Sequence, residues 1–312
     1  MADVLLLFPG QGSQTPGMAK DLVVAFPAAR EAWAEADDAL GESLSSLAFD
    51  GPADQLTRTQ HAQPALLAHG AAIWRIVNPA LGTRVRAAAG HSLGEFTAFH
   101  AAGALSLPDA VRLVRRRGAL MADAGSARPG AMAAILGDLS RSIEAICLEA
   151  GGSGVVVPAN YNAVEQTVIS GEIAGVERAM ELAKAAGARR AIRLNVSGAF
   201  HSPLMQSAVR GLADALDAPA WHEPAWPVYS NVTAGPVHTS TEARALFVRQ
   251  LTSPVRWVEV IRAMAAAHPT ATFLELGPGN VLTGLLKRLA PNHAAKTCGT
   301  AAEVESLLNE VA

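Results

Sequence analysis

The chain has 312 residues, of which 50% are hydrophobic and 17% charged, so it can bury a sizeable core in one large domain or in a large domain carrying a smaller one. A net charge of −3 argues against a nucleic acid or an anionic membrane as partner. Two cysteines exclude a disulfide framework, and the cysteines and histidines show no metal-ligand spacing. No signal peptide or membrane span is predicted, so we expect a cytoplasmic protein.

The first segment predicts a buried strand that ends in a glycine-rich loop. Val4–Phe8 is a short apolar run stopped by Pro9 and Gly10, which is typical of a parallel strand. Residues 10–14 (GQGSQ) form the loop, and a helix is predicted to start near Met18. Such loops often bind phosphate, but this one lacks the G-x-G-x-x-G pattern and the Lys-Ser/Thr ending of nucleotide sites. Alternatively, the loop presents a backbone N–H to a reacting carbonyl group.

A long helix is predicted over Ala65–Val77, with Pro64 in its first turn. Polar residues precede this helix, among them Gln60 and Gln63. They could line a pocket or cap the helix, and the sequence favours neither interpretation.

Residues 90–94 (GHSLG) have the G-x-S-x-G form of a nucleophile elbow, in which a serine lies on a tight turn between a strand and a helix. The two glycines lack Cβ atoms, so the strand and the helix can approach closely. The apolar run Val85–Ala89 predicts the strand, and residues 93–105 predict the helix. This context favours Ser92 as a nucleophile over a simple glycine–serine turn.

The helix predicted over Pro108–Ala124 carries an arginine on its apolar side. At about 100° per residue, its apolar residues form one face, and three arginines lie on the opposite face. Arg117 lies about 45° from the centre of the apolar face on the same count. An arginine there needs an anion in order to be buried. That anion is either a core carboxylate, in a structural ion pair, or a substrate carboxylate held by the guanidinium fork. Alternatively, the side chain extends past the apolar face so that its charged end reaches solvent.

The segment of residues 126–198 predicts a βαββαβ unit, which is the ferredoxin-like arrangement. Glycines mark several of its turns. Residues 160–162 (NYN) fall between its two middle strands. The predicted elements are strands at Ala131–Leu136, Val155–Ala159, Gln166–Ser170 and Arg189–Val196, and helices at Arg141–Ala150 and Ile173–Ala186.

A histidine precedes the next predicted helix, which extends to about Leu216. Ser202 and Pro203 are suited to its N-cap and first turn. His201 therefore lies in the preceding loop, where catalytic groups are often found. A single histidine is more often structural than catalytic, so its position alone does not assign it a role.

Strands alternate with helices on both sides of the βαββαβ unit. This alternation predicts a mostly parallel sheet covered by helices on both faces. In the C-terminal part we predict strands at Val228–Val232 and Thr272–Leu276, and helices at Glu242–Gln250, Arg256–Ala267, Val281–Leu289 and Ala302–Val311.

Several separated motifs occur in the order found in malonyl-CoA:acyl carrier protein transacylases, and the chain resembles this family nearly from end to end. The resemblance implies an α/β-hydrolase-like large domain of residues 1–125 and 199–312, interrupted by a ferredoxin-like small domain of residues 126–198. The motifs are residues 10–14, Gln63-Pro64, the serine elbow, Arg117-Gly118, residues 160–162, residues 198–201 (GAFH), residues 230–232 (SNV), Gln250 with residues 253–255 (SPV), and residues 277–279 (GPG).

The resemblance also implies roles for the matching residues. Ser92 would be the nucleophile and His201 the base. A backbone carbonyl at Gln250 would orient the histidine, making a dyad rather than a triad. The backbone N–H groups of Gln11 and Leu93 would form the oxyanion hole.

Other matching positions concern the substrate. Arg117 would hold the free carboxylate of the malonyl group. Gln63, Asn160 and Phe200 would line the pocket, and Phe200 occupies a place associated with a preference for malonyl over methyl-branched groups. Glu165 departs from the family pattern and could alter the small-domain surface that faces the carrier protein.

The function implied by the resemblance is a ping-pong acyl transfer. A malonyl group would pass from malonyl-CoA to Ser92, and then to the phosphopantetheine thiol of an acyl carrier protein, with no cofactor or metal. We expect a monomer. Fatty-acid synthesis, a polyketide assembly line and a malonate decarboxylase all remain open as the pathway of the acceptor.

Two other functions are compatible with parts of the sequence. A serine hydrolase acting on acyl carrier thioesters would use a histidine late in the chain, for which His268 and His293 are the candidates. A non-catalytic subunit that docks carrier proteins is the third possibility. The presence of Ser92, His201 and Arg117 argues against it, because a docking scaffold needs no nucleophile.

Overall fold

The computed structural model describes residues 3–311. Within them lie ten strands: β1 (Val4–Phe8), β2 (Val85–Gly90), β3 (Ala131–Leu136), β4 (Val156–Ala163), β5 (Gln166–Gly171), β6 (Arg190–Arg193), β7 (Val228–Tyr229), β8 (Pro236–Val237), β9 (Thr272–Leu276) and β10 (Ala295–Cys298). Fourteen α-helices lie in the same range: α1 (Lys20–Ala25), α2 (Pro27–Leu40), α3 (Leu44–Asp50), α4 (Ala53–Thr57), α5 (Thr59–Leu81), α6 (Gly94–Ala101), α7 (Leu107–Ala127), α8 (Ile143–Ala150), α9 (Ile173–Ala185), α10 (Gln206–Leu216), α11 (Ser240–Gln250), α12 (Trp257–Ala267), α13 (Val281–Leu289) and α14 (Ala301–Val311). In this described part of the chain, no helix is both long and apolar enough to cross a membrane.

The larger sheet has six strands in the order β10–β9–β1–β2–β7–β8, and only β7 and β8 are antiparallel. Successive residues of a strand point to opposite faces. Accordingly, Leu6 and Phe8 of β1 belong to a core on one face, whereas Leu5 and Leu7 belong to a core on the other. Helices cover both faces, so the continuous apolar run is buried throughout. The predicted mostly parallel α/β sheet is confirmed.

The smaller sheet has four strands in the order β4–β5–β3–β6, and all its neighbours are antiparallel. Together with α8 and α9, these strands form the predicted βαββαβ succession. Side chains from both helices and from the sheet make a separate hydrophobic core, which includes Ile135, Ile146, Ile169 and Val176. The small sheet therefore has its own stabilising interior on one face.

Helix α5 begins at Thr59, six residues before the predicted start, so Pro64 lies inside the helix and not in its first turn. Because proline has no N–H, the helix loses the backbone hydrogen bond to the Gln60 carbonyl. Most side chains of α5 are buried. Tertiary packing stabilises this helix in spite of the proline, as it does for most protein helices.

Other boundaries also differ from the prediction. Residues 160–162 belong to β4 and not to a loop. Asn160 forms an isolated parallel bridge with Val255, so pairing with a distant segment accompanies this extension of the strand. Helix α6 ends four residues early, just before Gly103, whose φ of 79° is a left-handed conformation that stops a helix. Five elements are not predicted from the sequence, namely α2, α3, α4, β8 and β10.

Close backbone contact at the elbow gives a testable difference between two helical glycines. A Cβ added to Gly94 in α6 would lie 2.2 Å from the carbonyl oxygen of Phe8, whereas one added to Gly284 in α13 would meet no atom within 4 Å. We expect Gly94→Ala to lower the free energy of unfolding by about 3 kcal/mol through overpacking. Gly284→Ala should raise it by about 0.5–1 kcal/mol, because alanine loses less backbone entropy in a helix. Urea denaturation of both variants measures the difference, and equal stabilities would contradict the close contact.

Candidate active site

Ser92 lies on a strained turn between β2 and α6. Its φ is 53°, a left-handed conformation that is uncommon for residues other than glycine. A Cβ on Gly90 would lie 1.9 Å from the carbonyl carbon of Gly94, so neither glycine can carry a side chain without moving the turn. This geometry presents the serine at the C-terminal edge of the large sheet, as a nucleophile elbow does.

The hydroxyl of Ser92 is paired with His201, which comes from the loop before α10. Oγ of Ser92 lies 2.8 Å from Nε2 of His201, and Nδ1 of His201 lies 2.9 Å from the backbone oxygen of Gln250. A carbonyl oxygen can only accept, so Nδ1 carries the proton and Nε2 accepts the proton of the serine hydroxyl. The two contacts therefore fix the tautomer that a general base needs.

His201 is held in its neutral form. Burial, followed by the positive charge of Arg117, lowers the pKa of His201 from 6.5 to about 3, although the hydrogen bond to Gln250 opposes this shift. An imidazole that is neutral at physiological pH is free to accept a proton.

Arg117 of α7 is fully buried beside the serine, with 1% of its surface exposed. Its Nη1 donates to Oε1 of Gln63 at 2.7 Å, and its Nη2 donates to Oε1 of Gln250 at 2.9 Å and to Oγ of Ser92 at 3.1 Å. The guanidinium carbon also lies 5.5 Å from the ring centre of Phe96, within cation–π range. Burial lowers the pKa of Arg117 to about 10, so the side chain remains a cation at neutral pH.

The buried carboxyl group of Glu95 lies near this cation without contacting it. Oε2 of Glu95 accepts hydrogen bonds from Nε2 of Gln250 at 2.7 Å and from the backbone N–H of Asn231 at 3.0 Å. The Gln250 amide thus stands between Glu95 and Arg117. Burial raises the pKa of Glu95 to about 7, and the two hydrogen bonds and Arg117 limit this rise.

Glu95 is not among the site residues predicted from the sequence, although its position in the sequence offered a signal that it is buried. Glu95 is a charged residue directly after the elbow, in a helix whose other residues are almost all buried. A buried charge requires partners.

Asn231 also belongs to the site, although the sequence analysis named it only as part of a motif. Its Oδ1 accepts the backbone N–H of Ser92 at 2.7 Å, and its Nδ2 donates to the carbonyl of Gly90 at 2.8 Å. Asn231 therefore holds both sides of the turn that carries the serine.

Two backbone N–H groups were predicted to form an oxyanion hole. Gln11 and Leu93 both line the same cavity as Ser92. In the described range, neither N–H donates a hydrogen bond to another residue. Leu93 immediately precedes α6, where free N–H groups and the helix dipole favour an anion.

The serine, histidine and arginine open onto one cavity of about 510 Å³, which lies between the two sheets. The small sheet contributes Met132, Val168 and Asn160, and Phe200 and Leu285 contribute from the large-sheet side. Near the cavity, Oδ1 of Asn162 and Nε2 of His91 are 2.8 Å apart, which links β4 to the elbow. Tyr161 points away from the serine, because its hydroxyl donates to Glu144 at 2.6 Å.

The structure does not bring the two late histidines to the serine. His268 lies just before β9, and Nε2 of His293 is 3.2 Å from the backbone oxygen of His268. Residues that precede a parallel strand lie at the edge of the sheet opposite to the elbow. Among the described residues, no group of three His, Cys, Asp or Glu side chains is arranged to hold a metal ion.

Comparison with known proteins agrees with this geometry. The sequence model of the acyl transferase domain family matches residues 5–306. A malonyl CoA-acyl carrier protein transacylase of Bacillus subtilis (strain 168) is 46% identical over 298 residues, which are 95% of this chain and 93% of the relative. One from Escherichia coli (strain K12) is 43% identical over 289 residues, which cover 93% of each chain.

Solved structures give the same result. The crystal structure of malonyl-CoA:acyl carrier protein transacylase from Xanthomonas oryzae pv. oryzae has a TM-score of 0.94 and 43% identity, covering 99% of this chain and 98% of that one. A malonyl-transacylase in complex with its type II polyketide acyl carrier protein has a TM-score of 0.94 and 40% identity, covering 99% and 100% of the two chains. Because these matches extend over nearly the whole sequence, the chain belongs to the acyl transferase family, as a member of the malonyl-CoA:acyl carrier protein transacylases.

Proposed function

We propose that this protein transfers a malonyl group from malonyl-CoA to the phosphopantetheine thiol of an acyl carrier protein. The observation that carries the proposal is the convergence of Ser92, His201 and Arg117 on one cavity, where Oγ of Ser92 is within 3.1 Å of both the imidazole and the guanidinium. A nucleophile, its base and a receptor for a carboxylate are the groups that a malonyl thioester requires.

In the first half of the reaction, His201 takes the hydroxyl proton of Ser92 while Oγ attacks the thioester carbonyl carbon. The negative charge that develops on the carbonyl oxygen is stabilised by the N–H groups of Gln11 and Leu93. When the intermediate collapses, the carbon–sulfur bond breaks, and the imidazolium of His201 gives its proton to the departing CoA sulfur. The product is a malonyl ester of Ser92.

The second half is the same chemistry in reverse, with a new thiol. The phosphopantetheine thiol of the carrier protein gives its proton to His201 and attacks the ester carbon. Oγ of Ser92 then leaves and recovers the proton from His201. The Gln250 carbonyl stabilises the imidazolium that forms in each half, because Nδ1–H donates to it throughout.

Arg117 selects the acyl group. The malonyl carboxylate gives the buried guanidinium an anionic partner in place of neutral amide and hydroxyl oxygens, and charge-assisted hydrogen bonds of this kind are about twice as strong as neutral ones. An acetyl group has no such carboxylate and leaves the buried cation with its neutral partners only. Phe200, Gln63 and Asn160 complete the walls of the pocket.

The proposal divides the chain into a large catalytic domain of residues 1–125 and 199–312 and a small domain of residues 126–198. The separate core of the small sheet supports this division. The reaction uses one thioester, malonyl-CoA, and one thiol, that of the carrier protein, and it needs no further cofactor. Cys147 and Cys298 are buried free thiols, which agrees with a protein that functions in the reducing cytoplasm.

Incubation with malonyl-CoA alone should add one malonyl group to Ser92, detectable by intact-protein and peptide mass spectrometry. Ser92→Ala should give no adduct. His201→Ala should form it about 100- to 10,000-fold more slowly, which is the usual contribution of a general base. Absence of an adduct on the freshly purified wild-type enzyme would contradict the ping-pong proposal.

Replacement of Arg117 should change selectivity more than reactivity. We expect Arg117→Lys, which keeps the charge but loses the planar fork, to lower kcat/KM for malonyl-CoA about 100-fold, corresponding to about 3 kcal/mol. For acetyl-CoA, kcat/KM should change less than about 5-fold, because no carboxylate is held. Initial rates with both thioesters measure the ratio. Arg117→Ala serves as the second variant, and an equal loss for both substrates would rule out carboxylate recognition by Arg117.

The low pKa of His201 predicts a pH-dependent contribution to stability. Its pKa is about 3 in the folded protein and 6.5 ordinarily, so the stabilisation is fully present above pH 6.5 and is lost as the pH falls toward 3. Between pH 7 and pH 5 this amounts to about 2 kcal/mol. The difference in unfolding free energy between the wild type and His201→Gln, measured in urea, should change by about this amount. A difference that stays constant with pH would show that the histidine titrates normally.

A further inference from the structure

A continuous row of hydrogen bonds joins Arg117 to the glycine-rich loop after β1. Nη1 of Arg117 donates to Oε1 of Gln63 at 2.7 Å, and Nε2 of Gln63 donates to Oγ1 of Thr59 at 2.9 Å. The hydroxyl of Thr59 then donates to Oε1 of Gln11 at 2.8 Å. Thr59, which the sequence analysis did not single out, is the only residue of the row that connects a helix to the loop.

The direction of every bond in the row follows from the arginine. A guanidinium can only donate, so the amide oxygen of Gln63 must face Arg117 and its NH₂ group must face Thr59. The Thr59 oxygen accepts from that NH₂ group, which leaves the hydroxyl proton for Gln11. Hydrogen bonds that run in one direction polarise one another, so the cation strengthens the whole row.

The row is anchored on a rigid base. Thr59 and Gln63 are each 1% exposed, so water does not replace their partners. The helices α5 and α7 are in backbone contact here, because a Cβ on Gly118 would lie 2.7 Å from the carbonyl oxygen of Thr59. Thr59 and Arg117 are therefore held at a fixed spacing, whereas Gln11 lies in a loop between two glycines.

We infer that Thr59 is a positioning residue, which holds the side chain of Gln11 so that the backbone N–H of Gln11 points at the carbonyl oxygen of the reacting thioester. The inference rests on the proposed function, since it concerns the oxyanion hole of that reaction. Through Gln63, Thr59 also ties the oxyanion donor to the arginine that receives the malonyl carboxylate.

Thr59→Val removes the hydroxyl but keeps the shape of the side chain. It leaves the Gln63 NH₂ group and the Gln11 amide oxygen without their partner. Complete loss of one oxyanion donor lowers a rate about 100- to 1,000-fold, so a misplaced donor should lower it about 10- to 100-fold. Because the effect lies in the chemical step, both malonyl-CoA and acetyl-CoA should be affected, and the ratio between them should stay within about 3-fold.

The test is the single-turnover acylation of Ser92 by each thioester. We expect Thr59→Val to lower the maximal rate by the stated factor, with the half-saturating concentration unchanged within about 3-fold, and Thr59→Ser to restore it. Thr283→Val is the matched control. The Thr283 hydroxyl is also buried and donates to a backbone oxygen at 3.0 Å, but it lies outside the row, so its removal should leave the rate unchanged.

A second variant removes the same hydrogen bond from the side of the loop. Gln11→Met retains the backbone N–H and removes the acceptor of the Thr59 hydroxyl. It should therefore cause the same loss of rate, and the double variant should lose little more.

A second reagent separates the role of Thr59 from the proposed function. Inactivation by a fluorophosphonate requires the serine and the oxyanion hole but not the arginine, and Thr59→Val should slow it by a similar factor. If wild-type enzyme reacts with the fluorophosphonate but not with malonyl-CoA, the proposed function is wrong. If Thr59→Val reacts with both reagents at the wild-type rates, Thr59 does not position Gln11, and the proposed function is unaffected.

Discussion

The burial of one arginine is the constraint on which the rest of the site depends. A guanidinium that is removed from water needs hydrogen-bond partners for its N–H groups. Loss of the partners of a buried charge typically lowers the free energy of unfolding by several kcal/mol. Arg117 meets this requirement in part, through hydrogen bonds from Nη1 and Nη2 to three neutral oxygens and through the more distant Glu95, whereas its buried Nε has no hydrogen-bond partner among the described residues. Since none of its direct partners is an anion, the cation stays available to a carboxylate that enters the cavity. An ordinary ion pair in direct contact would have neutralised it.

Gln250 makes this arrangement possible, because its backbone and its side chain serve different neighbours. The backbone oxygen fixes the tautomer of His201. The side-chain amide separates Arg117 from Glu95, accepting from one and donating to the other. A glutamate here would pair directly with the arginine, and a leucine would leave both charges without a bridge. The same residue therefore contacts both the proposed base and the proposed receptor of the acyl carboxylate.

The strained turn that carries Ser92 is also held in place by its neighbours. Ser92 keeps its left-handed φ because Asn231 holds the turn from both sides and because two glycines let β2 and α6 meet at backbone distance. Backbone strain of this kind persists only where the surroundings enforce it.

The small sheet forms one wall of the cavity through Met132 and Val168. It thus places an apolar wall opposite the polar groups of the large sheet, which suits an acyl chain ending in a carboxylate.

The sequence by itself determined the alternation of strands and helices, the βαββαβ unit, the serine elbow and the arginine on an apolar helix face, because each depends on periodicity or on neighbours in the chain. It did not determine the helical state of Pro64, the extension of β4 through residues 160–162, or the hydrogen-bond partners of Glu95 and Thr59. These depend on contacts between segments far apart in sequence, such as Asn231 with Glu95 and Thr59 with Gln11. Such contacts leave no local pattern, so only tertiary packing decides which buried polar groups meet.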